Sequence, residues 1–225
     1  MTDLRGILFD LDNTVLDRTR TFRQFAERLA DVYVGHIVTE DERGRIVADI
    51  IERDLDGYKD KPLLFAELRT ALPWQDGTAP PSVGELLRFY RSEYVNSAIL
   101  MAHAEELLTY CKGKYKVGLV TNGRTAIQYG KIDKLGIRGY FDAIIVSEEA
   151  GVSKPDPAIF GLALSRLALA PEQCVFIGDH PVNDIAGAAR AGMRVIWMKA
   201  NQPWREEAGE MPLAVTGLQQ LLRVL

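Results

Sequence analysis

Apolar and polar positions follow two different rhythms along this chain, and the change between them divides it. Near the start, the run Ile7-Leu8-Phe9 is continuously apolar and reads as a buried parallel strand. After Thr14 the period becomes helical. Phe22, Phe25, Ala26, Leu29, Val32 and Tyr33 recur at the spacing of one helix face. Thr39 and Glu42 form a capping box that opens a second helix, with Ile46, Val47, Ile50 and Ile51 as its buried face. Pro62 predicts the start of a third helix, carrying Leu64, Phe65, Leu68 and Leu72. A breaker-rich stretch over 73–81 follows. A second capping box, Ser82 and Glu85, then opens a helix with Leu86, Leu87, Phe89, Tyr90 and Tyr94.

From about residue 102, helix and strand patterns alternate. The spacing predicts a helix over 103–112, a strand over 115–121, and a helix over 125–135 closed by Gly136. A strand over 143–147 leads into a loop reaching Lys154, and a helix begins near Pro155 or Pro157. A strand over 174–178, a helix over 183–191 rich in Ala and Gly, a strand over 193–198 and a helix over 218–225 complete the series. Such alternation predicts an α/β fold, a doubly wound parallel sheet with right-handed crossovers. The helical segment is an insertion between the first strand and its sheet partners. The expected domains are 1–16 with 97–225, and an all-helical 17–96.

Composition narrows the class. The 225 residues are 47% hydrophobic and 26% charged, ordinary for a soluble globular protein. A net charge of −4 and the lack of a basic cluster argue against a nucleic-acid polymer as partner. No stretch has the apolar length of a membrane span. Cys111 and Cys174 fall in a predicted helix and strand without metal spacing, and read as reduced core residues. The early first strand leaves no room for a signal peptide, so the expected address is the cytoplasm.

Candidate chemistry lies at the strand ends. Asp10 and Asp12 follow the first strand one residue apart, a spacing that puts both carboxylates on one face if the strand continues. Like charges there repel unless a cation lies between them; such a pair suits a hard divalent ion, Mg²⁺ being the usual one. Taken alone, the pair also fits a solvated acidic turn. Three further strand ends carry polar groups: Thr121-Asn122-Gly123, the Gly151 to Pro155 segment around Lys154, and Gly178-Asp179 with Asp184 five residues on. A parallel sheet gathers such residues at one edge. Acids hold a cation, whereas lysine, hydroxyl and main-chain amides hold an anion. Both together suit a phosphoryl group bridged by Mg²⁺.

These residues resemble the four ordered motifs of the haloacid dehalogenase superfamily. Asp10 to Thr14 is similar to its DxDxT motif, Thr121 to its second, Lys154 to its third, and Gly178-Asp179 with Asp184 to GDxxxxD. The resemblance implies a Rossmann-like core, with the helical insertion as its cap. It implies that Asp10 is a nucleophile forming an aspartyl-phosphate, and that Asp12 is general acid and then general base. Mg²⁺ would be held by the carboxylates of Asp10 and Asp179 and the main-chain carbonyl of Asp12. Asp184 would support the metal or its waters, or orient Lys154. Thr121, the Asn122 and Gly123 amides, and Lys154 would hold the phosphoryl oxygens.

Within the family, Asp12 favours phosphoester hydrolysis over carbon–halogen cleavage, which needs no proton donor. Thr14 leans toward a hydrolase rather than a phosphosugar mutase. One departure is that Met101-Ala102-His103-Ala104 stands where a Pro-Gly is common, at a cap hinge. The stretch 115–192 looks most like nucleotide and sugar-phosphate phosphatases. The resemblance therefore implies a small phosphorylated metabolite as partner and a monomer or homodimer. A nucleoside 5'-monophosphate is favoured, with a sugar phosphate or other phosphometabolite as the alternative.

The segment from Arg18 to Asn96 is expected to close over Asp10. Tyr58, Phe65 and Trp74 are its aromatic candidates for stacking on substrate, although Phe65 reads better as core and Trp74 is balanced between the two. His180 directly follows Asp179 and reads as a loop histidine with a structural partner. His36 and His103 read as surface or boundary residues, and Arg124 as a second cation or a helix-surface charge. A receiver-type signalling module also joins acids, Mg²⁺, a hydroxyl and a lysine at one sheet end. Its paired acids are adjacent in sequence, however, and its phosphorylated aspartate ends a later strand. A non-catalytic scaffold would not need every motif residue.

Overall fold

The computed structural model describes residues 3–34, 38–74 and 79–225. The chain divides into two compact units, Met1–Asp17 with Ile99–Leu225, and Arg18–Ala98. The first unit is built on a six-stranded sheet: β1 (Gly6–Phe9), β2 (Lys116–Thr121), β3 (Ala143–Val146), β4 (Cys174–Gly178), β5 (Arg194–Met198) and β6 (Ala214–Val215). The order is β3-β2-β1-β4-β5-β6 and every pairing is parallel. The fold class is therefore α/β with a Rossmann-like parallel sheet, as the alternation predicts. Only β6 goes unforeseen, because two residues carry no periodicity.

β1 lies between β2 and β4, and its four residues are all buried. That explains the unbroken apolar run, since a central parallel strand is covered on both faces. Leu8, Val120 and Phe176 meet Ile159, Phe160, Ala163 and Leu167 of α8 (Pro157–Leu167) in one core cluster. α5 (Ala104–Lys114) packs against β2, and α10 (Leu218–Val224) packs beside α5. α6 (Thr125–Lys134) follows β2 and ends before Gly136, whose φ of 68° is the left-handed value expected after a last helical turn. His103 takes φ 64° at the start of α5, a backbone state more often occupied by glycine.

Two connections differ from expectation. The loop after β3 begins with one helical turn, α7 (Ser147–Ala150). The helix after β4 starts at Pro181 rather than Asn183, as a π-wound turn over Pro181–Ala186 that continues into α9 (Gly187–Arg190). Proline and the His180 side chain supply a start there that apolar periodicity does not register.

The second unit comprises α1 (Arg18–Tyr33), α2 (Glu40–Asp54), α3 (Lys61–Ala71) and α4 (Val83–Asn96). Both sequence-predicted capping boxes form, at Thr39 and at Ser82. Phe25 is the centre of its core, with Phe22, Phe65, Phe89, Tyr90 and Tyr94 all within ring-contact distance. Val32, assigned to the buried face of α1, is exposed, and Val34 is buried instead. In the predicted face of α2, Val47 and Ile50 are buried while Ile46 and Ile51 are partly covered.

Between α2 and α3, Leu55, Asp56 and Gly57 take φ of 52°, 54° and 96°. The two non-glycine residues cost roughly 1–2 kcal/mol each in this region. A buried charge cluster pins the turn: Arg18 donates to Asp54 at 2.5 Å and to Asp56 at 3.2 Å. Lys61 Nζ stands 2.7 Å from Asp54 Oδ1 as an ion pair without hydrogen-bond alignment. Removing a buried carboxylate strands its cations. Asp54→Ala is therefore expected to destabilise the unit by about 3–5 kcal/mol in urea denaturation, whereas a loss under about 1 kcal/mol would mean that solvent screens the cluster.

Candidate active site

Register explains why the strand ends converge. Phe9 lies beside Leu119 on β2 and Ile177 on β4. Asp10 is one residue past that line, and Thr121 and Asp179 are two past it, so all three leave the sheet within roughly 7 Å along the strand direction. The Asp10 amide still donates to the Ile177 carbonyl at 2.9 Å. Beyond Asp10 the chain turns sharply, as the amides of Thr14, Val15 and Leu16 all donate to the Leu11 carbonyl. Asn13 takes φ 57° in this turn, a conformation asparagine tolerates better than most residues.

The Lys154 ammonium is the centre of the first constellation. It donates to Asp10 Oδ1 and to Asp184 Oδ1, each at 2.6 Å, and all three residues are buried. It also lies 5.6 Å from the centre of the Phe176 ring, a favourable cation–π distance. Burial pushes the Asp10 carboxyl up, to about 7; Lys154 opposes the rise, while the charges of Asp184 and Asp12 add to it. Burial also works against the Lys154 ammonium, but the two carboxylates outweigh it and hold its pKa above the ordinary lysine value.

Asp179 completes the acidic set, with one oxygen from each of Asp10, Asp179 and Asp184 lying within 4.8 Å of the others. Oxygens around an octahedral Mg²⁺ at roughly 2.1 Å stand about 3–4 Å apart, so the donor set and its spacing fit a small hard cation. Two of these three buried carboxylates, those of Asp10 and Asp184, share the one Lys154 ammonium.

Local structure holds these acids in place. A Cβ on Gly178 would come within 2.5 Å of the Asp184 side chain, so only glycine leaves room for that carboxylate. Asp184 Oδ2 accepts from the His180 amide at 2.9 Å. His180 Nδ1 accepts from the amides of Val182 and Asn183 and so caps the π-wound turn. That fixes a neutral imidazole protonated at Nε2, in line with a pKa lowered chiefly by burial. His180 thus has the structural partner expected of it. The Asp179 carbonyl accepts from Trp197 Nε1 at 2.8 Å.

A second constellation surrounds Asp12. Its carboxylate, which the spacing places on one face with that of Asp10, turns to a lysine of its own. Lys131 Nζ donates to both Asp12 oxygens at 2.7 Å. Gln128 Nε2 lies 3.0 Å from Asp12 Oδ2, 2.5 Å from Thr121 Oγ1 and 3.3 Å from the Asn122 carbonyl. The physical reason is that Asp10 ends the strand and the tight turn after it redirects Asp12. The Asp12 carboxylate accordingly stands outside the trio of acids. Gln128 and Lys131 do not stand out when the sequence is scanned for motifs. Their signal is position: they lie four residues before Ile132 and Leu135, on the inward stripe of α6, where apolar residues belong.

The remaining candidates divide. Asn122 exchanges two hydrogen bonds with the main chain of Lys154, at 2.9 and 3.0 Å, and so ties the β2 end to the lysine loop. The Gly123 amide donates to Ser147 Oγ at 2.9 Å. Arg124 pairs with Glu148 at 2.6 Å on the surface, and His103 with Glu106 at 3.1 Å. In the second unit Phe65 is core, Trp74 bonds the Arg69 carbonyl and meets Tyr33 edge-on, and Tyr58 is 60% exposed. His36 lies outside the described residues. Both cysteines are buried thiols, as expected.

Comparison with known proteins places this geometry in a family. The model of haloacid dehalogenase-like hydrolases matches residues 4–192. Glyceraldehyde 3-phosphate phosphatase of Methanopyrus kandleri is 28% identical over 207 residues, 84% of this chain and 82% of that one. The pyrimidine 5'-nucleotidase YjjG of Escherichia coli is 33% identical over 141 residues, 58% of this chain and 63% of that one. YfnB of Bacillus subtilis, solved with bound magnesium, superposes with a TM-score of 0.77 over 99% of both chains at 24% identity, a likeness of fold. With the family model spanning all four motifs, the chain belongs to the haloacid dehalogenase-like hydrolases.

Proposed function

We propose that the protein is a Mg²⁺-dependent phosphatase that hydrolyses a small phosphorylated metabolite through an ester formed on Asp10. The observation that carries the reading is the Asp10–Lys154–Asp184 ion-pair chain with Asp179 beside it. It offers acids for a cation and, next to them, a buried ammonium for an anion. Phosphoryl transfer requires both at once.

In this reading Asp10 attacks phosphorus as the leaving oxygen takes a proton from Asp12. Asp12 then takes a proton from water, which attacks the same phosphorus and frees Asp10 with inorganic phosphate. Lys154 and Thr121 hold phosphoryl oxygens, together with the main-chain amide of Asn122; the Gly123 amide, given to Ser147 Oγ, joins them only on leaving that partner. The carboxylates of Asp10 and Asp179 and the Asp12 carbonyl would hold Mg²⁺, with Asp184 supporting it while orienting Lys154. The bound ion would offset the charge of the phosphoryl oxygens against the surrounding acids.

Carbon–halogen cleavage expels a halide and needs no proton donor, so an anchored carboxylate at Asp12 favours an oxygen leaving group. A nucleoside 5'-monophosphate is the favoured substrate, supported by the likeness to the pyrimidine 5'-nucleotidase. A sugar phosphate is the alternative, supported by the likeness to glyceraldehyde 3-phosphate phosphatases. A screen of nucleotides, sugar phosphates and glycolytic intermediates with Mg²⁺ separates them by kcat/KM.

Asp10→Asn should abolish Mg²⁺-dependent turnover of p-nitrophenyl phosphate, by at least about a thousandfold, because amide nitrogen and oxygen are poor nucleophiles. Residual activity near the unaltered level would remove Asp10 from the reaction. Gly178→Ala should push Asp184 off Lys154 and cost roughly a hundredfold in kcat/KM, with unchanged kinetics showing that the Asp184 contact is dispensable. Metal binding should be linked to protons. Because burial raises the Asp10 carboxyl to about 7, Mg²⁺ binding should displace more of its proton below that pH than above it. Affinity should thus rise between pH 6 and 8. Calorimetry in buffers of different ionisation enthalpy should register proton release at pH 6 that is much smaller at pH 8.

A further inference from the structure

We infer that Lys131 and Gln128 are positioning residues for Asp12, a rear clamp that aims its carboxylate for proton transfer. The inference rests on the phosphatase reading, in which Asp12 is the proton donor and acceptor.

Three observations carry it. First, Lys131 is buried on the inward stripe of α6, with 1% of its surface exposed, beside Ile132. Placing an ammonium there has a large desolvation cost, and an apolar side chain of similar volume would serve stability as well or better. A buried lysine at such a position therefore points to a geometric task. Second, its ammonium reaches both oxygens of one carboxylate at the same 2.7 Å. Two equal contacts from one side fix the carboxylate's rotation, which a single contact would leave loose. Third, the Lys131 side chain is 2% exposed and the Asp12 side chain 23%, so the ammonium holds the carboxylate from its buried side.

Gln128 adds a second link. Its amide nitrogen has two hydrogens and lies within hydrogen-bond reach of Asp12 Oδ2, Thr121 Oγ1 and the Asn122 carbonyl. The proton-transfer group and the phosphate-binding hydroxyl are thereby tied to a single side chain. Both residues thus reach the reaction through Asp12, and Gln128 also through Thr121.

The full chain carrying Lys131→Met tests the clamp, because leaving groups differ in their need for Asp12. p-Nitrophenolate departs without a proton, so the burst rate of its release should stay within about twofold of the unaltered protein. Steady-state turnover, which needs Asp12 to activate water, should fall at least tenfold. Turnover of an alkyl phosphate, which needs Asp12 in both halves, should also fall at least tenfold, with KM changed by less than threefold. Lys131→Arg should restore most of the lost kcat. A fall of equal size in the burst, in steady state and on both substrates, or no fall at all, would overturn the assignment. An unaltered protein that turns over neither substrate would instead sink the phosphatase reading, and this inference with it.

Thermal melting gives a readout independent of turnover. Asp12→Asn strands the buried ammonium and should lower Tm, and adding Lys131→Met should recover most of that loss. A double variant that melts no higher than Asp12→Asn would show that the two groups are not paired.

Discussion

Mutual repulsion among buried acids is the constraint on which this site depends. Asp10, Asp12, Asp179 and Asp184 all emerge at the carboxyl edge of one sheet, and three of them present oxygens within 4.8 Å of one another. Carboxylates that close cannot all stay ionised in a dry setting without cations. The fold answers with two buried lysines, each aimed from a different segment. Lys154 joins Asp10 to Asp184, and Lys131 takes Asp12. The two acids are thereby separated: Asp10 stays within the buried trio, and Asp12 stands apart from it with a lysine of its own.

The scaffold around these charges is rigid for identifiable reasons. β1 is held in the ladder on both sides, so the position of Asp10 is set by two neighbouring strands. Asp184 is fixed by the His180 amide, by Lys154 and by the missing side chain of Gly178. Asn122 binds the Lys154 loop by its main chain, so the lysine's path is determined by β2 as much as by its own segment. The helical unit applies the same logic to a structural end. There Asp54, fully buried, meets Arg18 and Lys61 and holds a left-handed turn that would otherwise be strained.

Much of this was legible in the amino-acid order, and the reason is local. The unbroken apolar run of β1, the capping boxes at Thr39 and Ser82, and the glycine after α6 each depend on neighbours a few residues away. Motif residues at strand ends were legible too, because a parallel sheet sends all its strands the same way and so collects their ends. Local pattern was weaker where elements are short or unusual. The two-residue β6, the single turn of α7 and the π-wound start at Pro181 carry little periodicity. Val32 shows the limit of counting helical positions near a helix end, where the apolar stripe no longer faces the core.

By itself, then, the sequence determined the α/β class, the inserted helical segment and the acids, hydroxyl and lysine brought to one edge, since these follow from periodicity and chain direction. Only the tertiary structure decided how the charges are paired. Spacing in the DxDxT segment suggested that Asp10 and Asp12 face one cation together, but the turn at Asn13 sends them to different lysines. Lys131 is 119 residues from Asp12 in the chain, and no local rule links them. Ion pairing acts through space, so its partners are chosen by packing and not by sequence distance.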